Sequence, residues 1–172
     1  MSGRIRWDSF ETNLGQVYAA SSEHGLTRLT WLVGGDRDFE SDLARQHAGA
    51  KIVRDPGSHA GIERQLRAFL DGEQDGIDAQ LDLSCLSVFE RAVLEEARRI
   101  PYGGTITYAE LARRIGRPGA ARAVGNALRH NPLPLIFPCH RIIRADGTPG
   151  GYGGPTGTAE KVRLLRLEAD NV

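Results

Sequence analysis

Two helix-start signals, with a Gly-Pro-Gly turn behind the second, confine residues 87–130 to a short series of packed helices. Ser87-Val-Phe-Glu90 has the residues of a capping box, in which the hydroxyl and the carboxylate each satisfy an orphan backbone N–H of the first turn. The helix it opens, through Val88, Ala92 and Leu94, stops before Pro101-Tyr102-Gly103-Gly104. Thr107-Tyr-Ala-Glu110 repeats the signal, with Ile106 and Leu111 placed as a hydrophobic staple. That helix ends at Gly116-Arg117-Pro118-Gly119, and another follows over about 120–130. Its apolar side is Ala120, Ala123, Val124, Ala127 and Leu128, and its opposite side is Arg122, Gly125, Asn126 and Arg129. Helix, four-residue turn, helix is the pattern whose second helix meets DNA, but an ordinary αα-corner has the same outline. Two details favour DNA. Arg122 and Arg129 point outward, and Ala121 and Gly125 are small enough to let a phosphate backbone come close.

Residues 1–82 have a different texture. Short β-like runs occur at 5–7, 16–20 and 26–33, the last two joined by a hairpin-like Ser-Ser-Glu-His-Gly. A helix is expected over about 61–70, ending at Asp71-Gly72, and an acidic linker over 71–82. The expected architecture is therefore α+β: a small N-terminal β-sheet domain with a helix (1–82), then a mainly helical domain with a winged helix-turn-helix (83–172). At 40% hydrophobic and 26% charged residues the chain is that of a globular protein, with no stretch of membrane-spanning length. Met1–Trp7 lacks the apolar core of a signal peptide. Two cysteines 54 positions apart fit neither a disulfide framework nor a zinc ligand set, so no metal and a reducing, cytoplasmic setting are expected.

The formal net charge of zero conceals an asymmetry. Between Ala97 and Arg144 there are nine arginines and one acid, Glu110, so this segment carries +8 and the rest −8. A basic block on an otherwise acidic body suits a phosphate-contacting face, although an arginine-rich helical surface alone has the same count. Within the block lies Phe137-Pro138-Cys139-His140-Arg141-Ile142-Ile143. Only a thiolate is nucleophilic, and a neighbouring imidazole is one way to make it near neutral pH. For the bare pair alone, a buried structural cysteine beside a solvated histidine is the favoured reading.

The motifs together resemble those of the O6-alkylguanine-DNA alkyltransferases. The similarity is dense from about Phe89 to Glu168. It includes Ile100-Pro-Tyr-Gly-Gly-Thr, Thr107-Tyr-Ala-Glu-Leu-Ala, Ala121-Arg-Ala-Val-Gly-Asn-Ala-Leu-Arg, Asn131-Pro-Leu-Pro, Pro138-Cys-His-Arg and Gly151-Tyr-Gly-Gly. The resemblance implies a single-turnover repair protein without a cofactor. It acts on double-stranded DNA that carries O6-alkylguanine, and on O4-alkylthymine, as a monomer in solution, with cooperative binding on DNA left open. Cys139 is then the alkyl acceptor, His140 its general base through a water, and Glu168 the acid that orients the imidazole. Tyr108 assists extrusion of the nucleotide and hydrogen-bonds it. Arg122 fills the vacated space in the duplex, while Ala121, Gly125, Asn126 and Arg129 share the DNA face. Pro134 walls the alkyl pocket, Tyr152, Gly153 and Gly154 cover the base, and Asn131 ties the helix end to the reactive turn. Many relatives have serine where this chain has Gly153, and the stretch 155–160 is about two residues longer than the family pattern. A lesion sensor without transfer, a winged-helix regulator and a cysteine hydrolase are the alternatives, and the presence of Cys139 disfavours the first.

Overall fold

The computed structural model describes residues 3–152 and 157–172. The chain forms two compact units, residues 1–85 and 86–172. In the first, β1 (Arg4–Thr12), β2 (Gly15–Ser22) and β3 (Gly25–Thr30) make an antiparallel meander. The helix α1 (Asp36–Gln46) then carries the chain to β4 (Lys51–Arg54), which pairs with β1 in parallel, giving the order β3-β2-β1-β4. Helix α2 (Ala60–Leu70) follows and buries Leu66 and Phe69. Trp7 and Tyr18 meet Phe39 of α1, with ring centroids 5.7 and 5.0 Å apart, and Ile5, Ala20 and Leu43 close the cluster.

The acidic stretch expected to be a linker is partly built into this unit. Leu26 N–H donates to the Gln80 carbonyl (2.8 Å), and Asp82 N–H donates to the Leu26 carbonyl (3.0 Å). Gly25 makes room for this. A Cβ on it would lie 2.5 Å from the Gln80 oxygen, and its φ of +140° is itself unfavourable for a side chain. Neither α1 nor β4 was expected from the sequence.

The second unit starts with α3 (Val88–Arg98), capped as the sequence indicates: Ser87 accepts from Glu90 N–H, and the Glu90 carboxylate accepts from Ser87 N–H. The second box is only half formed. Thr107 accepts from Glu110 N–H, but the Glu110 carboxylate turns to Arg113 and Arg114. Behind β5 (Ile106–Thr107) come α4 (Tyr108–Arg114) and α5 (Ala121–Arg129), which packs on α3 and α4 through Val124, Ala127 and Leu128. Ala123, expected on the apolar side, is exposed beside Arg122, so the buried stripe is narrower than the sequence suggests. A 3-10 turn (Cys139–Arg141) leads into β6 (Ile142–Ile143), parallel to β5, and α6 (Gly157–Asp170) ends the chain. The architecture is α+β, with the sheet N-terminal and the helices C-terminal. No helix of the described residues is long and apolar enough to cross a membrane.

Candidate active site and DNA-facing helix

The site begins where α5 stops. Asn131, just past the helix, donates through Nδ2 to the Phe137 carbonyl (2.8 Å) and to Cys139 Sγ (3.2 Å). Its Oδ1 accepts from Leu133 N–H (2.9 Å). One amide thus uses donor and acceptor to fold residues 131–139 back on themselves. Within that loop Leu135 is buried at a φ of +74°, a conformation a leucine adopts only when its surroundings impose it. Pro138 precedes the 3-10 turn, and the pairing of Ile106 with Ile142 pins the turn to the helical pair.

Cys139 is buried, with 7% of its surface exposed. Burial pushes its thiol up, while the Asn131 amide, the nearby Lys161 charge and the Tyr152 hydroxyl oppose that shift. His140 is fully buried: its Nε2 lies 2.6 Å from Glu168 Oε1, and its Nδ1 has no hydrogen-bond partner among the described residues. The imidazole is pushed down by burial and pulled back by Glu168. Glu168, also buried, accepts from Gly103 N–H (3.0 Å) and from Arg141 Nε and Nη2 (2.9–3.1 Å). Burial alone would raise its carboxyl, but these donors and His140 hold it down at about 2. At neutral pH Glu168 is therefore an anion that orients its neighbours and does not take a proton from the imidazole.

Arg141 has no role in the sequence reading, yet it completes this centre. Its Nη1 donates to the Ile100 carbonyl (2.7 Å), and its guanidinium lies 5.6 Å from the Tyr102 ring. Lys161 was likewise not anticipated. It is buried, donates to the Ile142 carbonyl and to the Tyr108 hydroxyl (3.4 Å), and lies over the Tyr108 ring at 5.5 Å. Burial lowers it to about 8, against the opposing pull of Cys139.

Above the thiol is a narrow pocket of about 30 Å³, lined by Tyr108, Gly125, Leu128, Arg129, Cys139, Gly151 and Tyr152. It joins α4, α5 and the reactive turn in one cleft. Comparisons with known proteins place this unit, and the chain as a whole, in a family. Residues 88–170 match the model of the 6-O-methylguanine DNA methyltransferase, DNA binding domain. A methylated-DNA–protein-cysteine methyltransferase of Mycobacterium tuberculosis is 48% identical over 164 residues, covering 95% of this chain and 92% of that one. Its counterpart in Methanosarcina barkeri is 36% identical over 167 residues, covering 96% and 98%. The chain belongs to the methylated-DNA–protein-cysteine methyltransferase family.

Solved structures of the family share this fold. The Mycobacterium tuberculosis O6-methylguanine methyltransferase superposes with a TM-score of 0.82 at 36% identity, covering 98% of this chain and 94% of that one. A structure described as Mycobacterium tuberculosis OGT in complex with DNA gives 0.82 at 37%, covering 97% and 94%. Against this family's pattern, the structure brings Cys139, Tyr108, Gly125, Arg129 and Tyr152 to one pocket, with His140 beside Cys139 in the chain and Glu168 hydrogen-bonded to its imidazole. Gly125 lies under the Tyr108 ring; a Cβ there would sit 3.7 Å from the ring carbons, an ordinary contact, so the tyrosine does not itself demand a glycine. Arg122 and Asn126 are exposed on α5, and Ala121 is half-buried at its start. Pro134 is half-buried, bridges to Phe137 and does not line the pocket. Gly153 and Gly154, expected over the base, lie outside the described residues.

Proposed function

We propose that this protein repairs DNA by moving an alkyl group from O6 of guanine, or O4 of thymine, onto Cys139 in a single turnover. The observation that carries this reading is a buried thiol at the floor of a pocket, hydrogen-bonded by Asn131, next in the chain to an imidazole anchored on an ionised Glu168. With Nε2–H donating to Glu168, the Nδ1 lone pair of His140 is left to accept the thiol proton through a bridging water. The Sγ–carbon bond then forms as the carbon–O6 bond breaks, and the released base regains one proton. Tyr108 suits the role of donor to the base. Burial raises its hydroxyl, which therefore stays protonated, and Lys161 lies against it.

A guanine O6 inside a duplex cannot reach a buried sulfur, so the nucleotide is everted at a cost of roughly a few kcal/mol. Arg122 is exposed on α5 and, among the described residues, has no ion-pair or hydrogen-bond partner, as expected of a side chain that enters the vacated space. The thioether is chemically stable, so each chain acts once. A free nucleophilic thiol of this kind belongs in a reducing cytoplasm.

The test is transfer itself. Wild-type protein incubated with duplex containing radiolabelled O6-methylguanine takes up one methyl per chain, on Cys139, and Cys139→Ala takes up none. Duplex restored to guanine without label on the protein defeats the proposal.

A further inference from the structure

The extruded nucleotide of the proposed function remains tethered by two phosphates, which lie at the mouth of the pocket and call for cations there. Arg129 lines the pocket from α5. A second guanidinium is presented by the turn that follows β6. Arg144 N–H donates to the Thr148 carbonyl (2.9 Å) and Gly147 N–H to the Arg144 carbonyl (3.0 Å), so the Arg144 backbone is fixed in a closed turn. The one carboxylate in this turn, Asp146, accepts from Thr148 N–H (2.9 Å) and Thr148 Oγ1 (2.6 Å). It makes no ion pair with Arg144.

Gly150 shows where the Arg144 side chain runs. A Cβ at Gly150 would lie 3.5 Å from Arg144 Cγ and 3.0 Å from the Tyr108 hydroxyl, so the arginine stem and the tyrosine meet over that glycine. The next residue, Gly151, lines the pocket. Arg99, Arg113, Arg114 and Arg141 are all matched by carboxylates. Arg144 is exposed and, among the described residues, forms neither an ion pair nor a side-chain hydrogen bond. Its charge nonetheless reaches the site, opposing the rise that burial imposes on Tyr108 and adding to the fall of Lys161. Asp146 feels the Arg144 charge without pairing to it, so the planar five-donor fork, presented by a hydrogen-bonded turn, keeps its donors for a phosphodiester.

We infer that Arg144 is a phosphate clamp for the extruded nucleotide, holding the DNA backbone at the rim of the Cys139 pocket from the turn after β6. This rests on the alkyl-transfer reading above, and the experiment separates the two. The full chain is compared with Arg144→Ala and Arg144→Lys, using duplex O6-methylguanine and free O6-benzylguanine as substrates. Binding to the same duplex is followed against salt. Arg144→Ala should transfer from duplex roughly tenfold more slowly, the scale of one lost charge-assisted hydrogen bond, and with at least fivefold greater loss than from the free base. The slope of log affinity against log salt should fall by about 0.9, one phosphate's share. Arg144→Lys should recover the slope but only part of the rate. Equal losses on both substrates, with a shifted pH profile, would mean that Arg144 acts only through Tyr108 and Lys161, and would overturn the clamp. An unchanged salt slope overturns it too. A wild type that transfers nothing defeats the function instead, and the salt slope alone still decides whether Arg144 grips a phosphate.

Discussion

Glu168→Gln tests the centre most directly, because the buried carboxylate joins Gly103, His140 and Arg141. Glutamine keeps the shape but removes the charge, and its amide nitrogen, which cannot accept, faces donors from Gly103, His140 and Arg141. The stabilisation at stake follows from the depressed carboxyl. Lowered from 4.5 to about 2, it corresponds to about 3 kcal/mol at 1.36 kcal/mol per unit. Breaking a buried pair by removing one partner costs about 3–5 kcal/mol, which agrees. The sign is fixed by the direction of the shift. A carboxyl depressed in the folded state stabilises above its unfolded value and loses that contribution as pH falls from about 4.5 toward 2. Urea unfolding followed by far-UV circular dichroism should therefore show the variant about 3 kcal/mol less stable at pH 7. The gap should close as pH is lowered through this window. Transfer to Cys139 should also slow by about 10²–10⁴, the usual weight of a positioned base, since His140 loses its anchor. A gap under 1 kcal/mol at pH 7, or one that stays constant down to pH 3, refutes the account of Glu168 as the shared anion of this centre.

Two further outcomes are expected. Asn131→Ala removes the amide that lowers the thiol and ties the Phe137 carbonyl to Leu133 N–H, so stability should fall by about 1–3 kcal/mol. The pH profile of transfer from free O6-benzylguanine should move to higher pH, and a profile that stays in place counts against the Asn131–thiol contact. Lys161 is lowered by burial to about 8 from 10.5, so the folded protein gives up this proton before the unfolded chain does. Wild-type stability should accordingly rise relative to Lys161→Met between pH 8 and 10.5, by about 3 kcal/mol at most. A difference that is flat across that range in denaturant titrations would show the ammonium to be better solvated than its burial implies.

The helical unit was readable because its signals are local. Ser87, Thr107 and the 116–119 turn act on backbone groups within four residues, so their positions mark α3, α4 and α5 directly. Helix α1 carries no such mark. Gly35 caps it without a side-chain bond, and its one visible clue is Phe39 and Leu43 four apart behind acidic Asp36 and Asp38. The four residues of β4 become a strand only by pairing with β1, some 47 positions away in the chain, which no local pattern reports. The site divides in the same way. Cys139 and His140 are adjacent and were legible as chemistry. Glu168 came from resemblance alone, because its distance of 2.6 Å from His140 spans 28 residues of chain. Lys161 carries a fainter signal: in a chain with 20 arginines and two lysines, a lysine at a buried position is a choice of residue type. A guanidinium could not shed its charge in such a place, whereas an ammonium can.

That distinction bears on why the thiol is buried at all. Exposed cysteines activated by nearby cations react with many electrophiles, but Cys139 is raised by burial and surrounded by groups that lower it only when they are in register. Asn131 reaches it from the end of α5, Lys161 from α6 and Tyr152 from the pocket wall. Three separate segments must therefore be in place before the sulfur becomes a nucleophile. A thiol that is spent after one reaction has reason to be this guarded, since every adventitious alkylation would remove a molecule from service. The same burial explains the demand for an everted base: the sulfur does not come to the duplex, so the lesion must come to the sulfur.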